Sequence, residues 1–182
     1  MEEVLVKVRD FADKAHGQQL RKYSSDRYIV HPVRVMEICK QYNPRLPVLA
    51  AALLHDVLED TPIGVSEMRD FLHGLMPAAD ADETLKLVVE MTDVFTRRDF
   101  AHLNRKIRKC KELERIAMTS AQAQTIKYAD IIDNSGEISV QDKDFAPRYL
   151  RECLAVLEIA HKGDATLRQI AFDIVRRNLS IV

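Results

Sequence analysis

The sequence predicts an all-α bundle of about eight or nine helices. Apolar residues recur three and four positions apart in segment after segment, and no run alternates with the two-residue period of a strand. The stretches between these segments are short and hold the prolines and glycines that start and stop helices. Short connections and one apolar stripe per helix define a bundle. With 182 residues there is enough chain for one sizeable core and hardly for two. No repeat, low-complexity tract or linker divides it, so residues 1–182 are expected to form a single domain.

Taken in order, Val4, Val8, Phe11 and Ala15 predict an amphipathic helix over residues 2–15. A polar loop follows, from His16-Gly17-Gln18-Gln19-Leu20-Arg21-Lys22 into Tyr23-Ser24-Ser25-Asp26-Arg27. The paired bases Arg21 and Lys22 suit a phosphate or simply solvent, where most charged side chains lie. Tyr28-Ile29-Val30-His31-Pro32 opens a second helix with Val35, Met36, Ile38 and Cys39 on its inner face. Proline is tolerated in a first turn, which puts His31 at the helix entrance. A lone histidine there is more often structural than a ligand.

Asn43-Pro44 ends that helix and Pro47 starts a central one. Residues 66–73 suggest a short helix. Asp80 and Glu83 have the spacing of a capping pair, and Leu85, Val88 and Val89 mark the buried face of a helix to about Met91. From Arg97 to Arg115 the chain is strongly basic, with Leu103, Ile107, Cys110 and Leu113 as its buried stripe. Such a run reads as a solvated helix face or as the border of an anionic ligand. Thr119 and Gln122 form a capping box for a helix through Ile126, Ala129 and Ile132, closed by Ser135-Gly136. Two further helices fit residues 144–161 and 164–178, with Lys162-Gly163 as the turn and Leu150, Leu154, Leu157 and Ala160 toward the core.

The chemistry is concentrated in residues 50–62, Ala-Ala-Ala-Leu-Leu-His-Asp-Val-Leu-Glu-Asp-Thr-Pro. Read as one helix, the stretch stacks His55 over Glu59 and Asp56 over Asp60. Three carboxylates and an imidazole this close repel unless a cation or proton relieves them. An exposed acidic helix end is the plain alternative, but acids at a C-terminus oppose the helix dipole. Further on, Asp130, Asp133 and Asn134 share a helix face, and Asp130 sits in the apolar Tyr128-Ala129-Asp130-Ile131-Ile132. An ion pair with Lys127 would account for it equally well.

Composition excludes several classes. A net charge of −1 provides no basic field to attract nucleic acid or an anionic membrane, so neither is expected as a partner. Apolar content of 47% argues against disorder. Cys39, Cys110 and Cys153 are odd in number and far apart, which points to a reducing cytoplasm rather than a disulfide framework. Met1-Glu2-Glu3 opens a segment unlike a signal peptide, and no apolar run reaches membrane-spanning length. Nothing in the sequence sets an oligomeric state.

Together, His31, His55-Asp56 and Asp130 resemble the H…HD…D pattern of the HD superfamily of metal-dependent phosphohydrolases. The surrounding words sharpen the resemblance: His-x-x-x-x-Arg-Lys at 16–22, Tyr-Ile-Val-His-Pro at 28–32, Ala-Ala-Leu-Leu-His-Asp-Val-Leu-Glu-Asp-Thr at 51–61 and Lys-Tyr-Ala-Asp at 127–130. In that order they resemble the hydrolase domain of the RelA/SpoT family, which removes the 3′-pyrophosphate of the alarmone (p)ppGpp. The resemblance implies a stand-alone alarmone hydrolase with an HD-type helical fold. It implies that His31, His55, Asp56 and Asp130 bind one divalent metal, Mn²⁺ in the family pattern, although two imidazoles and two carboxylates also suit iron or zinc. It implies that Glu59 and Asp60 activate the attacking water or manage protons, and that Arg21, Lys22 and Asn134 face the nucleotide. Ile131 stands where the family carries a basic residue, and Ser135-Gly136 replace its Met/Leu-Arg pair. Those departures leave open hydrolysis of another nucleotide phosphoester; a silent nucleotide-binding module is a separate alternative, against which the intact Glu59-Asp60 pair stands.

Overall fold

The computed structural model describes residues 1–22 and 24–182; Tyr23, placed by the sequence in the polar loop, lies outside them. Among the described residues there are nine helices of nine residues or more and one four-residue helical turn, and no strand ladder beyond an isolated Leu20–Arg27 bridge. In chain order these are α1 (Glu2–His16), α2 (Val30–Lys40), α3 (Leu46–Leu54), α4 (Val57–Asp60), α5 (Val65–His73), α6 (Ala78–Met91), α7 (Arg105–Met118), α8 (Ala121–Gln141), α9 (Ala146–Ile159) and α10 (Ala165–Leu179). The all-α expectation holds.

Helix α3 is the hub. Pro47 through Leu54 are all buried, with no polar face at all. A helix that is apolar on every side is stable only inside a core, and α1, α2, α6 and α8 surround it. Around this centre, α10 packs on α8 and α9, and α7 lies against α9. Gly163, in the turn between α9 and α10, sits directly on α8: a Cβ there would come within 2.5 Å of Tyr128 Cε2 and 2.8 Å of the Thr125 backbone nitrogen.

Several local expectations are corrected. The central helix does not run through to residue 60. It stops at Leu54, and Asp56 has φ −97° and ψ −6°, the bridge region between helix and turn. The cause is the His55 ring, whose Nδ1 lies 2.7 Å from Ala52 O and takes up the carbonyl that a continuing helix would offer to residue 56. The N-cap of α8 is Ser120, whose hydroxyl accepts from Ala123 N, not Thr119. Asp80 is no cap either: α6 starts two residues before it, and Glu83 instead forms a two-point ion pair with Arg45. Helix α8 continues through Ser135-Gly136 to Gln141, since Ser135 is buried and Gly136 has a negative φ.

On α7 the buried side chains are Glu112 and Ile116, whereas Ile107 and Cys110 are exposed. Glu112 is buried because it serves the preceding loop, accepting from the backbone N–H groups of Val94 and Phe95. Val89, expected inside, faces outward, and Leu87 and Met91 join Leu85 and Val88 within.

Candidate metal centre and adjoining cleft

His31 enters at the first turn of α2, where its backbone N–H donates to Tyr28 O. His55 and Asp56 occupy the break between α3 and α4, and Asp130 comes from the middle of α8. The fold brings all four to one place. His31 Nε2 is 3.6 Å from Asp56 Oδ2 and 3.3 Å from Asp130 Oδ1. His55 Nε2 is 3.0 Å and 3.9 Å from the same two atoms. One ligand atom each from His31, His55 and Asp56 fall within 4.8 Å of one another.

The tautomers follow from the partners. Ala52 O can only accept, so His55 Nδ1 carries the hydrogen; the Asp133 carboxylate, 2.7 Å from His31 Nδ1, assigns the same tautomer there. Both Nε2 lone pairs are left pointing inward. His31 and His55 are 1% and 2% exposed, and neither Nε2 makes a hydrogen bond among the described residues. A buried polar atom left unsatisfied is costly, and two facing the Asp56 and Asp130 carboxylates form a donor set that a divalent cation satisfies. The residues present fit a metal.

The neighbours fix the carboxylates. Tyr28 donates its hydroxyl to Asp56 Oδ2 at 2.6 Å. Lys127 Nζ donates to Asp130 Oδ2 at 3.0 Å, and Asn134 Nδ2 to Asp130 Oδ1 at 2.6 Å. The Lys127 pair was the structural alternative for Asp130; the structure has both the pair and the cluster. Burial would raise the carboxyl of Asp56, but the imidazoles of His55 and His31 outweigh it and hold it well below the usual range. For His31 burial acts downward, and Asp130, Asp133 and Asp56 overcome it, pushing the ring up to about 9. Protons and a cation therefore compete for the same imidazoles.

Glu59 and Asp60 follow one turn later and open toward solvent. Surrounding protein and then the Asp93 charge push Glu59 up to about 7, although open water on its outer side works against the shift. Asp60 is also raised, by burial and then by Asp56, against hydrogen bonds from Tyr28 and Gln19.

Arg21 is buried, and its guanidinium donates to Glu137, to Asn134 Oδ1 at 2.9 Å and lies over the Tyr28 ring. Asn134 thus spans Arg21 and Asp130 with its two amide ends. Lys22 is more open, 3.3 Å from Asp142 and over the Phe145 ring. Arg21, Lys22, Tyr28 and Asn134 line a cleft of about 370 Å³, and Asp130 and Lys127 line a second, smaller hollow of about 130 Å³. The two share Lys109, Tyr149 and Glu152, and the larger is within the size range of small-molecule sites.

Arg105 and Lys109 of the basic segment reach the larger cleft; Arg105 is held there by Glu152. Sequence reading left that reach undecided, because it depends on how α7 meets α9. Of the departures, Ile131 and Ser135 are buried, and only Gly136 borders open space. Asp133 and Tyr28 were missed as site residues. Asp133 had one signal, its shared helix face with Asp130.

A cluster of this kind, drawn from α2, the α3–α4 break and α8 of an all-α scaffold, defines a helical bundle with a site that could hold a metal. The profile of the HD domain family matches residues 28–135, and the chain belongs to that family. It is 33% identical over 138 residues to a human guanosine-3′,5′-bis(diphosphate) 3′-pyrophosphohydrolase, covering 74% of this chain and 69% of that one. A probable enzyme of the same name from Mycoplasma pneumoniae is 30% identical over 141 residues, which cover 74% of this chain and 18% of the relative. The matched region is thus a minor part of that bacterial relative's length. A solved structure described as a metazoan ortholog of SpoT that hydrolyzes ppGpp superposes with a TM-score of 0.79 at 26% identity, covering 96% of this chain and 94% of the other.

Proposed function

We propose that this chain is a divalent-metal-dependent hydrolase that removes the 3′-pyrophosphate of (p)ppGpp, yielding GDP or GTP and pyrophosphate. One observation carries the reading: two buried imidazole nitrogens, without hydrogen bonds among the described residues, converge with Asp56 beside a cleft edged by basic side chains. The names of the human and bacterial relatives supply the substrate. His31, His55, Asp56 and Asp130 are the metal ligands in this reading, and Mn²⁺ is the metal. When bound, the cation supplies Lewis acidity toward the phosphoryl group and toward water.

The side chains do the rest. Glu59, pushed up to about 7, is matched to accept a proton from the attacking water near neutral pH. The proton Glu59 takes up is passed on, with Asp60 as the relay, to the ribose 3′-oxygen as its P–O bond to the pyrophosphate breaks. Arg21 and Lys22 hold the nucleotide, and Asn134 ties Arg21 to Asp130 so that binding and chemistry share one frame. We treat residues 1–182 as a single unit, since α9 and α10, beyond the matched span, pack on α8. The free cysteines Cys39, Cys110 and Cys153 support a reducing cytoplasm as the compartment; among the described residues no helix is long and apolar enough to cross a membrane.

A second reading, hydrolysis of another nucleotide phosphoester, draws on Gly136, which leaves open space where the resemblance expects an arginine. The deciding experiment measures pyrophosphate release from ppGpp by chelator-stripped protein, with and without Mn²⁺, beside His55→Ala. Manganese-dependent release that the variant loses supports the proposal. No release from ppGpp, with phosphate freed from another nucleotide, moves the assignment to the second reading.

A further inference from the structure

The His31 ring has carboxylates at both of its nitrogens. Nε2 faces Asp56 and Asp130, while Nδ1 donates to Asp133 Oδ2 at 2.7 Å on the opposite edge. Asp133 is three residues after Asp130, so one face of α8 supplies both a carboxylate for the cluster and the acceptor behind the imidazole. The Asp133 carboxylate is itself fixed: Oδ1 is 2.8 Å from Arg34 Nε, and Oδ2 is 3.9 Å from Arg21 Nη2. With both oxygens engaged behind the ring, Asp133 is not a ligand of the cluster. What it does is hold the ring.

That bond has two consequences. It fixes the Nδ1–H tautomer and ring angle, so the Nε2 lone pair stays aimed inward. It is also charge-assisted, which makes it stronger than the bond from His55 to the neutral Ala52 carbonyl. An anionic acceptor increases the donor strength of the far nitrogen. The two imidazoles therefore have unequal support: His55 is held by the main chain, His31 by a side chain that can be changed without moving the backbone.

We propose that Asp133, anchored by Arg34, is the positioning residue of this metal centre and sets its affinity through His31. The inference rests on reading the cluster as a metal site.

The test titrates Mn²⁺ into chelator-stripped wild-type, Asp133→Asn and Arg34→Gln proteins by calorimetry, with circular dichroism and melting of each metal-free protein alongside. Asp133→Asn is expected to remain folded and to bind Mn²⁺ roughly 10- to 100-fold more weakly. Arg34→Gln, half-exposed and one step further out, is expected to weaken it by about threefold or more. A purely structural Asp133 would lower the melting temperature and leave the Mn²⁺ affinity unchanged; wild-type affinity in a folded Asp133→Asn protein overturns the proposal. If Asp133→Asn does not fold, Arg34→Gln decides by the same measure, and unchanged affinity there overturns it. Wild-type protein that binds no Mn²⁺ removes the metal reading itself, and this inference with it.

Discussion

Glu59 accepts the backbone N–H of Asp93 at 3.0 Å, while the Asp93 side chain places a second negative charge beside it. The two contacts act in opposite directions on one carboxylate. The backbone donor favours the ionised form, and the neighbouring charge, added to the crowding of surrounding protein, disfavours it. The balance leaves Glu59 raised to about 7.

If Glu59 is the proton acceptor, it acts only when ionised, so the rate of ppGpp hydrolysis should rise with pH through about 7 and then level. Asp93→Asn removes the opposing charge and keeps the backbone donor. A pH–rate profile of that variant should show its rising limb at lower pH than wild type. A limb in the same place would mean that Asp93 does not tune Glu59.

The same shift has a thermodynamic face. The folded chain holds the Glu59 proton up to about 7, whereas the unfolded chain releases it near 4.5. Between those values the folded state binds more protons, so stability is lost as pH rises across the window and is level outside it. Glu59→Gln has no such proton to lose. Its melting temperature relative to wild type should climb from about 4.5 to about 7 and stay higher above, alongside a loss of turnover.

Tyr28→Phe keeps the ring, which lies tilted against His16 with centroids 4.4 Å apart, but deletes the hydroxyl that donates to Asp56 at 2.6 Å. Burial and the Asp56 charge keep that hydroxyl protonated, so it is a donor at every working pH. Without it Asp56 is freer to rotate. Mn²⁺ affinity should fall by roughly 10-fold, the lower end of what outer-shell changes cost, with the helical circular dichroism signal unchanged.

Gly163→Ala tests how α9 and α10 are seated. Its Cβ would meet the Thr125 backbone nitrogen at 2.8 Å and Tyr128 Cε2 at 2.5 Å, and backbone cannot step aside as a flexible side chain does. Denaturant unfolding should show a loss of about 1–3 kcal/mol, the usual cost of overpacking. An unchanged midpoint would mean the turn has room to lift off α8.

The four clustered residues were legible in the sequence through the resemblance of their pattern to a known family, and each also breaks an apolar run: His31 in Tyr-Ile-Val-His-Pro, His55-Asp56 after Ala-Ala-Ala-Leu-Leu, Asp130 after Tyr-Ala. A polar group in such a setting needs a partner, and the partner is visible even when its position is not. The helices were legible for a related reason, since α3 and the faces packed on it are apolar at helical spacing. What failed was local. His55 was read as stacked over Glu59 on one helix, but its own side chain captures Ala52 O and ends that helix first. Ser120 and Thr119 carry the same capping chemistry, and only the direction of the chain before α8 selects between them. The roles of Asp133, Arg105 and Lys109 depend on contacts with α2, α9 and the cleft, across long stretches of chain, and no window along the sequence holds both partners.

His31 and His55-Asp56 meet at one point, with Asp130 Oδ1 3.3 and 3.9 Å from the two imidazoles, although they come from α2, the α3–α4 break and α8. An ion gripped by all three is a stitch through the chain. It closes two long loops at once, and the loaded protein has fewer unfolded conformations open to it. Metal supply would then govern how long each copy survives unfolding and proteolysis, as well as how fast it turns over. In a metal-starved cell a protein with the proposed activity would become scarcer as well as slower.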